Sequence, residues 1–573
     1  MMYRCWHLCL FCLCSLLFLW ACGGALPESV TAIPQPTPIA ASPTATAPTT
    51  VPVALPTAVP TLAPTVLPPT VLAQPQLVAP SYPAEVFFTR NGALVALDPV
   101  SGKERVLATE ARDLAIDASG QQIAVAYGQT LSVIDRRSGE SRVIVSDRAV
   151  YGLSWTPDGL ALAYAAAADP PLLPFDWERW SRWCGAATVY ILDLPTANER
   201  AIGPGCDPVF ASDGRRLAYA TPPTGQVPFW PFPAQTNAIR LINRAGANAW
   251  NFAVADASPQ QGTLVYAPAW SPNTREVAYQ RFLGYQALVD VNLTMIADSS
   301  EGGGVPIFAG AGWHRRPTFA PDGQFLAMVE YNFSDARGFT GYDIWSLAIV
   351  TTQGERRELL PTGDVTLSGQ VIAYLPRVVA VAWSPDGSAL AALVPSGWDP
   401  NADRNQPLYP EATAGEIWEL SAQGVPQRRL ATLVDYASPL IWAPAGWATA
   451  QVESGMVMFP ADWQVLPVTQ AGELVATSNG RLVGRRTVVD LAGVDDTAWS
   501  WLVSDWVTVT DADAPYQLPD GSRLITFTGQ AADGSTVAGV ARIKANTIVV
   551  SYAPQAEWPR YRATGIALAM AAR

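Results

Sequence analysis

Seven copies of one short phrase run through this chain. Each copy is an apolar strand that enters a turn spelled Ser/Ala/Thr-Pro-Asp-Gly, or a near variant, and leaves it as a second strand. The turns are Asp117 to Gly120, Thr156 to Gly159, Ala211 to Gly214, Ser271 to Thr274, Ala320 to Gly323, Ser384 to Gly387 and Ala443 to Gly446. Three places after the turn six copies carry Ile123, Leu162, Leu217, Val277, Leu326 or Leu390, and one place later all seven carry alanine: Ala124, Ala163, Ala218, Ala278, Ala327, Ala391 and Ala450. Fixed words recurring 39 to 64 residues apart are the signature of a repeat architecture, in which one supersecondary unit buries its apolar faces only against its neighbours.

The turn chemistry defines the unit. Proline presets φ, aspartate bonds to the local backbone, and the closing glycine takes the positive φ of a tight hairpin. The incoming strand is almost continuously apolar, as in Leu153-Ser154-Trp155 and Val381-Ala382-Trp383, which fits burial on both faces. Several such units closed radially make a β-propeller. The phrase resembles the WD-like repeat of the TolB family of bacterial β-propeller proteins over roughly residues 84–450. The resemblance implies a mainly β fold and says little of function, because propellers host many unrelated activities.

Blade number follows from how the ends are used. Residues 84–108 supply three strand-like runs, Glu85 to Thr89, Ala93 to Asp98 and Glu104 to Ala108, ahead of the first copy. The seventh copy has Thr449 in place of the aliphatic residue. If the N-terminal runs complete the last blade, no sheet edge is left open and the propeller has seven blades. If the Ala443 copy belongs elsewhere, it has six.

Four segments flank or follow one another along the chain. Residues 1–22 pair Arg4 with an apolar stretch ending at Leu19-Trp20-Ala21-Cys22-Gly23, which resembles the lipobox of bacterial lipoproteins, with Cys22 as the acylated residue. An uncleaved apolar anchor is the alternative. Either places the bulk of the chain outside the cytoplasm, and the lipoprotein reading places it at the bacterial cell surface. Residues 23–83 read as a Pro/Thr-rich stalk, in which proline density favours an extended polyproline form. The propeller occupies residues 84–450. Residues 451–573 begin a different pattern at Phe459-Pro460-Ala461-Asp462-Trp463 and end in an alanine-rich helical stretch from Glu557 to Ala572. This region loosely resembles small PsbP-like α+β domains of exported bacterial proteins, a likeness that brings no catalytic residues with it.

A formal charge of −13 argues against a nucleic-acid partner, which needs a basic surface. Five of the seven cysteines lie within the first 22 residues. The remaining two, Cys184 and Cys206, are most simply a disulfide in an exported domain, with two buried thiols as the alternative. No histidine accompanies them, so no metal site is expected there, and no cofactor is expected elsewhere.

Parity puts the long connections together. If the word joins strands A and B of a blade, the B–C and D–A connections emerge on the opposite face. The second repeat carries an insert from Pro170 to Ala187 with Phe175, Trp177, Trp180 and Trp183, and the third runs from Pro222 to Thr236 with Phe229, Trp230 and Phe232. The fifth contributes Tyr331 to Tyr342, and the sixth Pro395 to Gly415 with Trp398 and Tyr409. Two readings stand: an aromatic ligand surface over the channel built on Trp177, Trp180, Phe229, Trp230, Trp398 and Tyr409, or small local cores beneath the loops. The three-residue spacing of Trp177, Trp180 and Trp183 predicts a short amphipathic helix.

Catalysis finds little support. His7 and His314 are the two histidines, His7 lies in the export signal, and no Gly-x-Ser-x-Gly elbow is present. Carboxylate chemistry of the glycosidase kind needs two acids, for which Asp176, Glu178, Asp335 and Asp343 are candidates that the sequence does not pair. Asp399, Asn401, Asp403 and Asn405 alternate as in a calcium loop, but Pro410 stands where the bidentate glutamate belongs. The expected protein is therefore a non-enzymatic surface lipoprotein that binds an envelope or extracellular protein, peptide or glycan. An envelope glycoside hydrolase or lyase using channel carboxylates is the alternative.

Overall fold

The computed structural model describes residues 76–78 and 82–571, apart from 174, 176, 228–233, 256–262, 284–287, 296–304, 310–315, 334–342, 353–356, 360–364, 368–370, 377, 399–413, 453–454, 461–462, 467–473, 478–482, 489–498 and 546. Cys22, the stalk before residue 76, Phe229, Trp230, His314, the calcium-like loop and Tyr409 lie outside the described residues. Among the described residues no helix is long and apolar enough to cross a membrane.

Seven antiparallel blades are present among the described residues, each read from the inner strand A to the outer strand D. Blade 1 is Asp113–Ile116, Gln122–Tyr127, Thr130–Asp135 and Ser141–Val145. Blade 2 is Ala149–Trp155, Ala161–Ala167, Thr188–Asp193 and Asn198–Pro204, and blade 3 is Cys206–Phe210, Arg216–Ala220, Ala238–Asn243 and Trp250–Val254. Blade 4 is Thr263–Trp270, Glu276–Leu283, Leu288–Met295 and Val305–Ala309, the last of which also pairs with a hairpin from blade 5. Blade 5 is Thr318–Phe319, Phe325–Phe333, Asp343–Thr351 and Val371–Pro376, and blade 6 is Ala380–Trp383, Ala389–Pro395, Ala414–Ser421 and Pro426–Asp435. Blade 7 takes strands B to D from the N-terminal runs Glu85–Arg90, Ala93–Leu97 and Glu104–Ala108, and its inner strand from Ile441–Ala443.

Six of the seven words form the expected A–B turn. The residue in the glycine position donates its N–H to the carbonyl of the first residue in each: Gly120 to Asp117, Gly159 to Thr156, Gly214 to Ala211, Thr274 to Ser271, Gly323 to Ala320 and Gly387 to Ser384, all at 2.8–3.0 Å. The seventh departs. Gly446 donates instead to the Tyr82 carbonyl at 3.0 Å, and the strand that follows, Ala448–Val452, pairs with Gln76–Val78 and Gly455–Phe459 rather than with Ile441–Ala443. The physical reason is that Glu85–Arg90 already occupies the place beside Ile441–Ala443, so the chain must leave the blade.

The alanine four places after each glycine position sits in strand B and is fully buried in six copies, from Ala124 to Ala391, where a larger side chain would hold the neighbouring blade away. Tryptophan just before the turn ties blades in pairs. Trp155 Nε1 donates to Ala115 O, Trp270 Nε1 to Val209 O and Trp383 Nε1 to Thr318 O, each at 3.1 Å. Every acceptor stands two places before the word of the preceding blade, so the repeat register itself sets the contact.

Beyond Gly455–Phe459 the chain builds an antiparallel eight-stranded sheet. Its best described strands are Arg523–Ala531, Thr536–Lys544 and Thr547–Pro554, and the helix Trp558–Ala571 packs on the last two. Pro519-Asp520-Gly521 makes an ordinary hairpin between Tyr516–Gln517 and Arg523–Ala531. This α+β region sits on the turn face of the propeller. Arg560 Nη2 donates to Asp386 O at 2.6 Å, Arg562 Nη1 to Asn273 O at 3.0 Å and to Thr274 Oγ1 at 2.6 Å, and Arg215 of blade 3 pairs with Asp513 at 3.1 Å.

Candidate functional site: the channel ring

The seven inner strands enclose a cavity of about 510 Å³ that runs from the turn face, where Ala563 of the C-terminal helix lines it, to the insert face, where Phe175 and Trp180 line it. Within it the repeat places one residue per blade at the same level. Counting four positions back from the start of each word gives Asp113, Gly152, Asp207, Ala267, Arg316, Ala380 and Pro439, and all seven line the cavity. Three of the seven are ionisable and belong to blades 1, 3 and 5. Ala380 and Pro439 leave the remaining arc apolar.

Strand A is bulged at this level in three successive blades. The pairing register slips between Ala163 and Ala165 in blade 2, between Cys206 and Val209 in blade 3, and between Tyr266 and Ala269 in blade 4. The ring residue in each has positive φ: Gly152 at 76°, Asp207 at 54° and Ala267 at 50°. For aspartate and alanine this left-handed conformation costs about 1 kcal/mol or more, and bulges of this kind re-aim backbone groups beside binding sites.

The re-aimed groups are used across blades. Asp113 Oδ2 accepts from the N–H of Gly152 at 2.7 Å and of Leu153 at 3.1 Å. Asp207 Oδ2 accepts from the N–H of Ala267 at 3.1 Å and from the indole of Trp180 at 2.9 Å. Arg316 Nη2 donates to the carbonyls of Asp207 and Pro208, both at 3.3 Å. Burial pushes the Asp207 carboxyl up from its ordinary value, with Arg316, the Trp180 indole and the Ala267 amide opposing. Burial also pulls the Arg316 guanidinium down, opposed by Asp207, Asp113 and Tyr151.

The insert of blade 2 forms the expected helix, Trp177–Ala186. Cys184 and Cys206 are joined in a disulfide that fixes this helix to the first residue of blade 3 strand A. Trp180 is 1% exposed, packs at 5.3 Å from Tyr266 and lines the cavity. Phe175 and Trp183 meet Tyr151 edge to face at 5.6 and 6.3 Å. Trp398 is 7% exposed and packs edge-on to Trp418 at 5.0 Å. Neither Trp180 nor Trp398 presents an open ring face, because the amphipathic helix and the start of the blade 6 insert turn their indoles inward. The helix places the backbone of Trp177, whose side chain lies outside the description.

Of the candidate acids, Glu178 is exposed and pairs with Arg182 along the helix at 3.5 Å, and the backbone of Asp343 begins a blade 5 strand. Asp176 and Asp335 lie outside the described residues. The ring residues Asp113, Asp207 and Arg316 escaped the sequence reading. Their signal was present as a fixed offset from each word, and Pro208 and Pro268 beside the bulges marked the breaks in strand A.

No protein-family model matches the chain, and no curated protein matches it. Solved propeller structures do. An oligogalacturonate lyase in complex with manganese aligns with TM-score 0.38 and 12% identity over 56% of this chain and 95% of the other. A protein described as TolB from Agrobacterium tumefaciens aligns with TM-score 0.31 and 13% identity over 66% and 99%. A protein described as a 6-phosphogluconolactonase from Bacteroides uniformis aligns with TM-score 0.34 and 14% identity over 64% and 98%.

Proposed function

We propose that this chain is a membrane-anchored lipoprotein of the bacterial cell surface, TolB-like in its propeller, whose channel mouth on the insert face binds an envelope or extracellular ligand without catalysis. The observation that carries the reading is the use made of the ring carboxylates. Asp113 accepts two backbone N–H groups from blade 2, and Asp207 accepts one from blade 4 and the Trp180 indole of the blade 2 insert, which makes them struts of the pocket wall. Hydrogen bonds from fixed N–H groups favour a carboxylate's charged form and hold it in place, which suits a strut of the wall better than a general acid, which must carry a proton to its substrate. A pre-formed pocket in which a few fixed polar groups face an apolar wall is what ligand binding uses.

The test is a screen of the full-length protein against envelope glycans and surface-protein extracts, with product analysis of every glycan. A retained and unaltered ligand supports binding. The second reading, a glycoside hydrolase or lyase, draws on the Asp207 carboxyl, which burial raises in the direction that suits a general acid. Cleaved glycan that disappears in Asp207→Asn would replace the binding reading with that one.

A further inference from the structure

Among the described residues, the neighbouring blades engage only part of the Arg316 guanidinium. Its two hydrogen bonds both leave from Nη2 and go to backbone carbonyls at 3.3 Å, long for charge-assisted contacts. Among the described residues no carboxylate stands within ion-pair distance of it, and Nε and Nη1 make no hydrogen bond. Asp207, whose charge acts on Arg316, spends Oδ2 on Trp180 and Ala267 instead.

Among the described residues the guanidinium is therefore held by one nitrogen, against carbonyls beside the blade 3 bulge, and the residue lines the cavity. Arginine always carries its charge, and its planar fork matches the two oxygens of a carboxylate. On the next two blades round the ring, Ala380, Val381, Pro439 and Leu440 offer an apolar wall. The volume of about 510 Å³ falls within the range of small-molecule sites.

We infer that the channel mouth takes a small organic carboxylate, its acid group on Arg316 and its body against the Ala380–Pro439 side. The inference rests on the binding reading above and gives it a ligand chemistry.

Matched acid and neutral probes test it. The full-length protein in detergent is titrated by calorimetry with benzoate and benzamide, with N-acetylphenylalanine and its amide, and with glucuronate and methyl glucoside. At least one acid is expected to bind about tenfold or more tightly than its neutral partner, a preference of about 1.4 kcal/mol. The pair that responds identifies the body as aromatic acid, peptide end or sugar acid. The preference should vanish in Arg316→Gln and persist in part in Arg316→Lys, which keeps the charge but loses the fork.

Equal binding of acid and neutral probes, or a preference that survives Arg316→Gln, overturns the carboxylate inference while leaving a binding pocket in place. Absence of binding by every probe at millimolar concentration also overturns it, and the extract screen then decides the broader reading separately. Should Arg316→Gln fail to fold, Arg316→Lys and the wild-type comparison of acid with neutral probe still decide.

Discussion

Arg136 and Glu85 form a buried ion pair, Nε to Oε2 at 2.9 Å, that joins the C–D turn of blade 1 to the N-terminal strand of blade 7. The same guanidinium donates to Gly120 O at 2.9 Å, Pro444 O at 2.7 Å and Pro83 O at 3.0 Å, and lies 4.2 Å from the centre of the Tyr82 ring. One fully buried side chain thus touches the first blade, the strand that arrives first in blade 7 and the chain just after the strand that arrives last. Arg105 completes the pair by meeting Glu85 from the other side at 2.7 Å.

Arg136→Met should therefore weaken the closure of the ring specifically. Removing Arg136 leaves the buried Glu85 to Arg105 alone and takes a donor from three backbone carbonyls, at a cost of about 3 kcal/mol. Urea unfolding of the single variants and of the double variant with Glu85→Gln checks this, and the double variant should recover part of the loss.

The tryptophan ties are separable. Trp270→Phe keeps an aromatic ring in the blade 3–4 interface but deletes the Nε1 bond to Val209 O, and a loss of about 1–2 kcal/mol is expected from the unmade hydrogen bond and the smaller ring. Trp155→Phe and Trp383→Phe should behave alike, since their bonds have the same length and register. Denaturation midpoints of the three variants measure it, and sharply unequal losses would show that the repeat does not equalise the interfaces.

Gly152→Ala should cost about 1–2 kcal/mol, because φ is 76° there and a Cβ would stand 3.3 Å from Pro208 Cδ. Thermal unfolding reads the change.

The C-terminal region carries its own pH dependence. Burial alone pushes the Asp520 carboxyl up, but the Ser522 hydroxyl and amide, Lys544 and Arg542 outweigh it and hold the group well below the usual carboxylate range. A carboxyl depressed on folding stabilises the fold fully above its unfolded value, near 4, and loses that contribution as pH falls further. Asp520→Asn should thus lower stability by about 2 kcal/mol at pH 7, with the gap to wild type closing below pH ~4. Melting curves from pH 3 to 7 test the sign.

Cutting the disulfide should loosen the wall of the channel at one place. Cys184 and Cys206 lie 22 residues apart, so Cys184→Ala with Cys206→Ala should cost about 3 kcal/mol on the chain-entropy account. Limited proteolysis should then open the segment between Ala168 and Ala187 before the blades themselves.

The fold was legible because its instruction is repeated. Turn residues, the buried alanine and the N-terminal runs each follow from local chemistry, and Glu85–Arg90, Ala93–Leu97 and Glu104–Ala108 appear within a residue of their expected bounds. The site was harder to read. Trp180 and Trp398 were marked for their rings, and burial of an aromatic depends on what a loop folds back upon, which no short-range pattern encodes. Asp113, Asp207 and Arg316 sit far apart in sequence and in dissimilar local contexts. They become neighbours through the closed ring, and only counting back from each turn brings them to one level.

The inner strand of blade 7 reaches Glu85 across more than 350 residues, as the pairing of Glu85 with Ala443 records. A chain emerging from its N-terminus presents three strands of that blade early and the fourth near the end, so the ring stays an open arc for most of its synthesis. Loop closure over that distance is slow, and an arc with two unpaired sheet edges invites pairing with other chains. The Arg136 latch belongs to the same late moment, since Pro444 is one of its acceptors. A chain cut short before Pro444 would be left unclosed and exposed to aggregation, and the order of emergence makes the last blade the checkpoint of the whole molecule.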